Sequence, residues 1–230
     1  MCMVTSRKVS DTMWEDGFKN KHRSDRVPFT VFASTYLHPS TSSTLYIYIC
    51  ILLDPSSSYL RKFEAEVASD FGKEDAVFMP SGTMAQNIAL LIHSQKELHQ
   101  NSEHDMDLRF ACHHSSHLLL WEEDSYSKLG GFRAVEIDTR SSSCDGIHIP
   151  AMTKDDVESV FLQEKGRYHD EVSLGETGLS TLIIELPHRE LGGKLTPWDD
   201  VVSIGDLCKE HGIKYHCDGA RIFEASAGYG

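Results

Sequence analysis

The stretch Thr181-Leu182-Ile183-Ile184-Glu185-Leu186 is an apolar run without polar alternation, the pattern of a strand buried on both faces. Downstream, Thr196-Pro197-Trp198-Asp199-Asp200 supplies a capping hydroxyl, a proline at the first helical position and acids for the first turn. The helix that follows is expected to end at Gly212, and Ile213 to Cys217 reads as the next strand. Strand, helix and strand in this order predict a parallel pair, because parallel neighbours need a long crossover.

The same alternation extends toward the N-terminus. Thr153-Lys154-Asp155-Asp156 reads as a helix start, with a helix to about Glu164, and Phe132 to Ile137 as a strand before it. Leu118 to Trp121 falls in a further helical piece. Ala76 to Met79 is a short strand closed by Pro80-Ser81-Gly82, and the helix after it carries Met84, Ile88, Leu91 and Ile92 on its apolar face. Leu60, Phe63, Val67 and Phe71 recur at helical spacing before a stop at Gly72. Strands alternating with helices predict an α/β domain whose mostly parallel sheet is covered on both faces.

Residues 1–58 have another texture: a polar opening, a Ser/Thr/Pro cluster from His38 to Thr44, the apolar run Leu45 to Leu53, then Asp54-Pro55-Ser56-Ser57-Ser58. They read as an irregular N-terminal segment of doubtful origin, and 59–230 as the folded unit. The apolar run is far shorter than a membrane span, so it is expected to be a buried strand or a foreign insertion.

With 230 residues and 40% hydrophobic content the chain can bury a full core. A formal net charge of −13 and no basic stripe argue against nucleic acid and for small-molecule partners. Cys2, Cys50, Cys112, Cys144, Cys208 and Cys217 are scattered without a paired framework, which predicts a reducing, cytoplasmic setting.

Chemistry-bearing clusters follow three of the predicted strands, and ligands of open α/β sheets bind at strand carboxyl ends. Ser81-Gly82-Thr83 at a helix start suits a phosphate, or is an ordinary capped turn. Asp218-Gly219-Ala220-Arg221 sets an acid and a base at a strand end, where Asp218 can hold a heteroaromatic nitrogen protonated and Arg221 an anion, or the two can pair with each other. His188-Arg189 with Gly192-Gly193 forms a polar turn. His113, His114 and His117 are the densest histidine group, and spacing puts His113 and His117 on one helical face. HHSSH lacks the glutamate of HExxH, so the group reads as a ring-stacking or core histidine set, with no metal expected.

FGKEDAVFMPSGTMAQNIAL (71–90), SSHLLLWEED (115–124), LIIELPHRELGGKLTPWDD (182–200) and HGIKYHCDGARIFEAS (211–226), in that order, resemble the threonine aldolase and aromatic amino acid β-eliminating lyase group of fold-type I pyridoxal-phosphate (PLP) enzymes. The resemblance covers most of Leu60 to Gly230. It implies a three-layer PLP-dependent transferase-like large domain, a PLP cofactor, and cleavage of β-hydroxy-α-amino acids to glycine and an aldehyde. It implies that Ser81, Gly82 and Thr83 hold the phosphate, that His117 stacks on the pyridine ring and aids proton transfer, and that Asp218 pairs with the ring nitrogen. Arg221 would contact the ring hydroxyl or the substrate carboxylate, with His188 near the substrate. A homo-oligomer is implied for the full-length form.

The sequence departs from the family pattern in several places. The family's Schiff-base lysine lies beyond the DGAR motif, whereas Lys214 is the last lysine here and precedes Asp218. The large domain is therefore expected to be incomplete, the small C-terminal domain missing and the chain inactive as it stands. Glu185-Leu186-Pro187-His188 is less polar than the usual threonine aldolase turn, which leaves other PLP chemistry open.

Overall fold

The computed structural model describes residues 2–4, 30–32, 59–94, 108–140, 149–167 and 178–230. Strands are β1 (Cys2–Val4), β2 (Thr30–Phe32), β3 (Val77–Met79), β4 (Arg109–His113), β5 (Arg133–Ile137), β6 (Thr181–Glu185) and β7 (Lys214–Asp218). Helices are α1 (Tyr59–Asp70), α2 (Gly82–His93), α3 (His117–Leu120), α4 (Ser125–Gly130), α5 (Lys154–Arg167), α6 (Trp198–Glu210) and α7 (Ile222–Tyr229).

The main sheet has five strands in the order β2-β7-β6-β4-β5, and every pairing in it is parallel. Its centre is dry because β6 is buried along its whole length. Leu182 and Ile184 pack into a core with Val157 and Phe161 of α5 and Val201 and Ile204 of α6. Ile183, pointing to the opposite face, joins Phe110, Cys112, Leu118 and Leu90 of α2. Adjacent side chains of a strand face opposite ways, so one apolar run feeds both cores and needs helices on each side.

Local chemistry sets the helix ends. In α5, Thr153 Oγ1 accepts from the Asp156 amide at 3.3 Å while Asp156 accepts from the Thr153 amide at 2.9 Å, a reciprocal capping box. In α2, Ser81 Oγ accepts from the Met84 amide at 3.2 Å. In α6, Pro197 stands at the cap position, one residue earlier than expected, so Thr196 is not the cap; it is buried, and its carbonyl accepts from Tyr229 Oη at 2.6 Å.

Other expectations are corrected. The apolar stripe of α2 does not face the core: Met84, Leu91 and Ile92 are 45%, 39% and 42% exposed, while Ala85, Gln86, Asn87, Ala89 and Leu90 are buried. Small Ala85 and Ala89 let α2 approach closely, and Gln86 meets buried polar groups on β7, which decides the rotation. β3 lies outside the main sheet and pairs antiparallel with β1. His113 ends β4 and His117 begins α3, with a turn between them, so the two do not share a helical face. Within 1–58, two short strands are described, and β2 extends the main sheet alongside β7. Leu45–Leu53 lies outside the described residues. No helix among the described residues is long and apolar enough to cross a membrane.

Candidate functional site

From β4 the chain moves to β5 on one flank and then to β6 on the other, so the strand order switches direction at β4 and β6. Crevices open at the carboxyl ends of strands at such a switch. Glu185 ends β6 beside Asp218 at the end of β7, the two being register partners. One carboxylate oxygen of Glu185, Oε1, accepts from Ser116 Oγ at 2.9 Å and from the His117 amide at 2.5 Å, and Oε2 accepts from the Arg189 amide at 3.3 Å. Glu185 thus ties the turn after β4 to the turn after β6 through charge-assisted bonds.

Asp218 receives Gln86 Nε2 on Oδ2 at 2.7 Å and the Ala220 amide on Oδ1 at 3.2 Å. The carbonyl of the same Gln86 accepts from His216 Nε2 at 3.1 Å. Burial, with His93 nearby, holds His216 well below its ordinary value, so it is neutral and donates from that nitrogen. Burial and the neighbouring Glu185 push Asp218 up to about 7, while the Ala220 amide and His117 work the other way. No arginine or lysine pairs with Asp218 among the described residues. A carboxylate in that condition suits a cationic partner that is itself an N–H donor.

His117 lies between charges of both signs. Its Nε2 is 3.3 Å from Glu122 Oε1, and its Nδ1 is 3.1 Å from Arg189 Nη1. The Glu122 hydrogen bond raises the affinity of His117 for a proton, against burial. For Glu122, burial is outweighed by hydrogen bonds from His117 and from the Thr83 side chain, which hold it below the usual range. Thr83, at the start of α2, is therefore linked to His117 through Glu122. The Gly82 and Thr83 amides of that first turn have no partner among the described residues, as expected at a helix start.

The Ser81–Thr83 turn, His117 and Asp218 thus belong to one connected set of contacts, Thr83 meeting His117 through Glu122 and the helix after the turn meeting Asp218 through Gln86. His188 sits behind it: its buried ring bonds Ser115 Oγ from Nε2 at 3.1 Å and packs 4.6 Å from the His113 ring. Arg221 is exposed at the cap position of α7 and makes no ion pair with Asp218, so the self-paired alternative for those two residues is not realised. Gln86, Glu122, the bonding role of Glu185 and the Arg189 contact were missed. An acid closing the apolar strand was a signal for Glu185, and an amide among alanines was one for Gln86; nothing in the pattern marked Glu122.

A parallel sheet covered on both faces, with this crevice at its switch point, has the three-layer architecture of the PLP-dependent transferase large domain. It is similar to the solved structure of a putative L-allo-threonine aldolase from Listeria monocytogenes EGD-E, with TM-score 0.55 and 27% identity over 83% of this chain and 50% of that one. The chain belongs to the beta-eliminating lyase family, whose sequence profile matches residues 55–230. It is 33% identical to the probable low-specificity L-threonine aldolase 2 of Arabidopsis thaliana over 77% of this chain and 43% of the relative. It is 28% identical to the low specificity L-threonine aldolase of Escherichia coli K12 over 77% of this chain and 44% of the relative. The chain spans less than half the length of these curated relatives.

Proposed function

We propose that residues 59–230 form the PLP-binding large domain of a lyase that cleaves β-hydroxy-α-amino acids such as threonine to glycine and an aldehyde. The observation that carries this reading is Asp218: a carboxylate at a strand end, fixed by Gln86 and Ala220, raised to about 7, and without an arginine or lysine partner among the described residues. PLP, when bound, supplies an electron sink for negative charge that develops at the substrate α-carbon.

The donor set fits that cofactor. Asp218 would hold the proton on the pyridine nitrogen, and a cation there would draw its own proton affinity back down. The Gly82 and Thr83 amides and the positive end of α2 would take the phosphate, beside the Ser81 hydroxyl. His117, beside the ring, would accept the proton of the substrate hydroxyl and pass it on, with Glu122 stabilising the charged imidazole. Arg221 would bind the ring hydroxyl or the substrate carboxylate. His188, steadied by Ser115, would act on the substrate side of Glu185.

PLP titration tests the cofactor: a saturable change in its absorbance together with a rise in melting temperature is expected, and neither change at millimolar PLP would refute the reading. For the reaction, incubation with PLP and threonine, serine or cysteine distinguishes glycine from carbon–carbon cleavage from the keto acid and ammonia of elimination.

A further inference from the structure

Arg189 approaches His117 at a ring nitrogen, with Nη1 3.1 Å from Nδ1. A guanidinium only donates hydrogen bonds, so Nδ1 must present its lone pair and the ring proton must sit on Nε2, toward Glu122. The contact exists only while His117 is neutral, because a proton on Nδ1 would face the guanidinium directly. Yet the surroundings favour a charged ring: the Glu122 hydrogen bond acts first, against burial, and Asp218 and Glu185 act in the same sense. Among the described residues, the charged groups facing His117 are Glu122 from the loop after α3, Glu185 at the end of β6, Asp218 at the end of β7, and Arg189 from the turn after β6. Arg189 is the cation among them.

The Arg189 main chain is fixed, its amide donating to Glu185, whereas its side chain is 42% exposed. The guanidinium already has other contacts within reach. Its carbon lies 5.0 Å from the Trp121 ring centroid, and Nε is 3.6 Å from Glu190 Oε1, an oxygen that also accepts from Trp121 Nε1 at 2.8 Å. Leaving His117 therefore does not strand the charge.

We propose that Arg189 is a positioning residue that competes with a proton for His117 Nδ1, and that a carboxylate entering the crevice frees this nitrogen by drawing the guanidinium away. This rests on the lyase reading, the carboxylate being that of the α-amino acid. Before the amino acid arrives, Arg189 blunts the base; once the carboxylate holds Arg189, His117 is left among acids that favour its protonation. The base is thus released when there is a substrate hydroxyl to deprotonate.

The test is a pH titration of the His117 ring by NMR, without PLP, in the wild-type chain, Arg189→Gln and Arg189→Lys. Each is run in chloride and in acetate of equal ionic strength. Arg189→Gln is expected to raise the His117 midpoint by about one pH unit, with Arg189→Lys in between. Acetate is expected to raise the midpoint in the wild type and leave Arg189→Gln unmoved. Equal midpoints in wild type and Arg189→Gln, or an acetate effect that persists without the arginine, would overturn the proposal. If Arg189→Gln does not fold, the wild-type acetate series decides alone, since an unmoved midpoint there overturns it as well. PLP titration of the same wild-type sample separates the two readings: absent PLP binding refutes the lyase reading, while the dependence of His117 on Arg189 stands or falls by its own midpoints.

Discussion

Arg109 and Glu164 are buried against each other at the amino end of β4, while Glu185 and Asp218 stand at the carboxyl ends of β6 and β7 without an arginine or lysine partner among the described residues. Both ends of the sheet place carboxylates in poorly hydrated surroundings. At the first, the charge is neutralised within the fold. At the second, neutral amides and hydroxyls orient the acids, and Asp218 is pushed up to about 7. Charge paired inside the chain is architecture, and charge left oriented but unpaired in a crevice marks where a ligand's opposite charge belongs.

The contrast breaks most severely at the paired end. Glu164→Ala removes the buried carboxylate that faces the Arg109 guanidinium and is expected to cost about 3–5 kcal/mol in urea unfolding, with PLP binding kept by whatever remains folded. Next comes acid. His93 and His113 are held down to about 4 and about 3 by burial, from an ordinary 6.5, so the stability they give is present above 6.5 and is lost as pH falls toward those values. Between pH 6.5 and 4 the loss is expected to reach about 3 kcal/mol for each of the two histidines. It is best read in Asp218→Asn, because Asp218 acts in the opposite sense.

The folded-state value of Asp218 is raised from 3.8 to about 7, so its contribution is favourable at low pH and disappears as pH climbs through 7. Asp218→Asn, unable to ionise, should therefore be more stable than wild type at pH 8 by about 4 kcal/mol in the absence of cofactor, and close to it near pH 4. The smallest effect lies in the loop after α3. Glu123 and Asp124 adopt left-handed backbone, with φ of 49° and 57°, where a side chain is strained. Asp124→Gly is expected to add about 1 kcal/mol by thermal melting and to leave PLP binding unchanged.

The α/β alternation was legible because both faces of β6 are buried, which leaves an uninterrupted TLII run, and because Gly72 and Gly212 have the positive φ that helix ends favour. The Ser81 cap and Asp218 at a strand end could also be read, since each sits where local backbone geometry gives its side chain a job. The rotation of α2 could not. Its sequence carries an apolar stripe, but two alanines and Gln86 meeting His216 and Asp218 turn that stripe outward, and these partners are about 130 residues away. Similarly, HHSSH has helical spacing, yet burial of His113 at the end of β4 extends the chain there. Glu122 gains its place only when Thr83 and His117 are brought to it from different elements.

PLP affinity at pH 8, compared between wild type, Asp218→Asn and Asp218→Glu, tests most directly whether the unpaired acid awaits a ring cation. Loss of the charge-assisted bond in Asp218→Asn is expected to weaken binding by at least about tenfold, with Asp218→Glu retaining part of the affinity. Equal affinity in wild type and Asp218→Asn would contradict it.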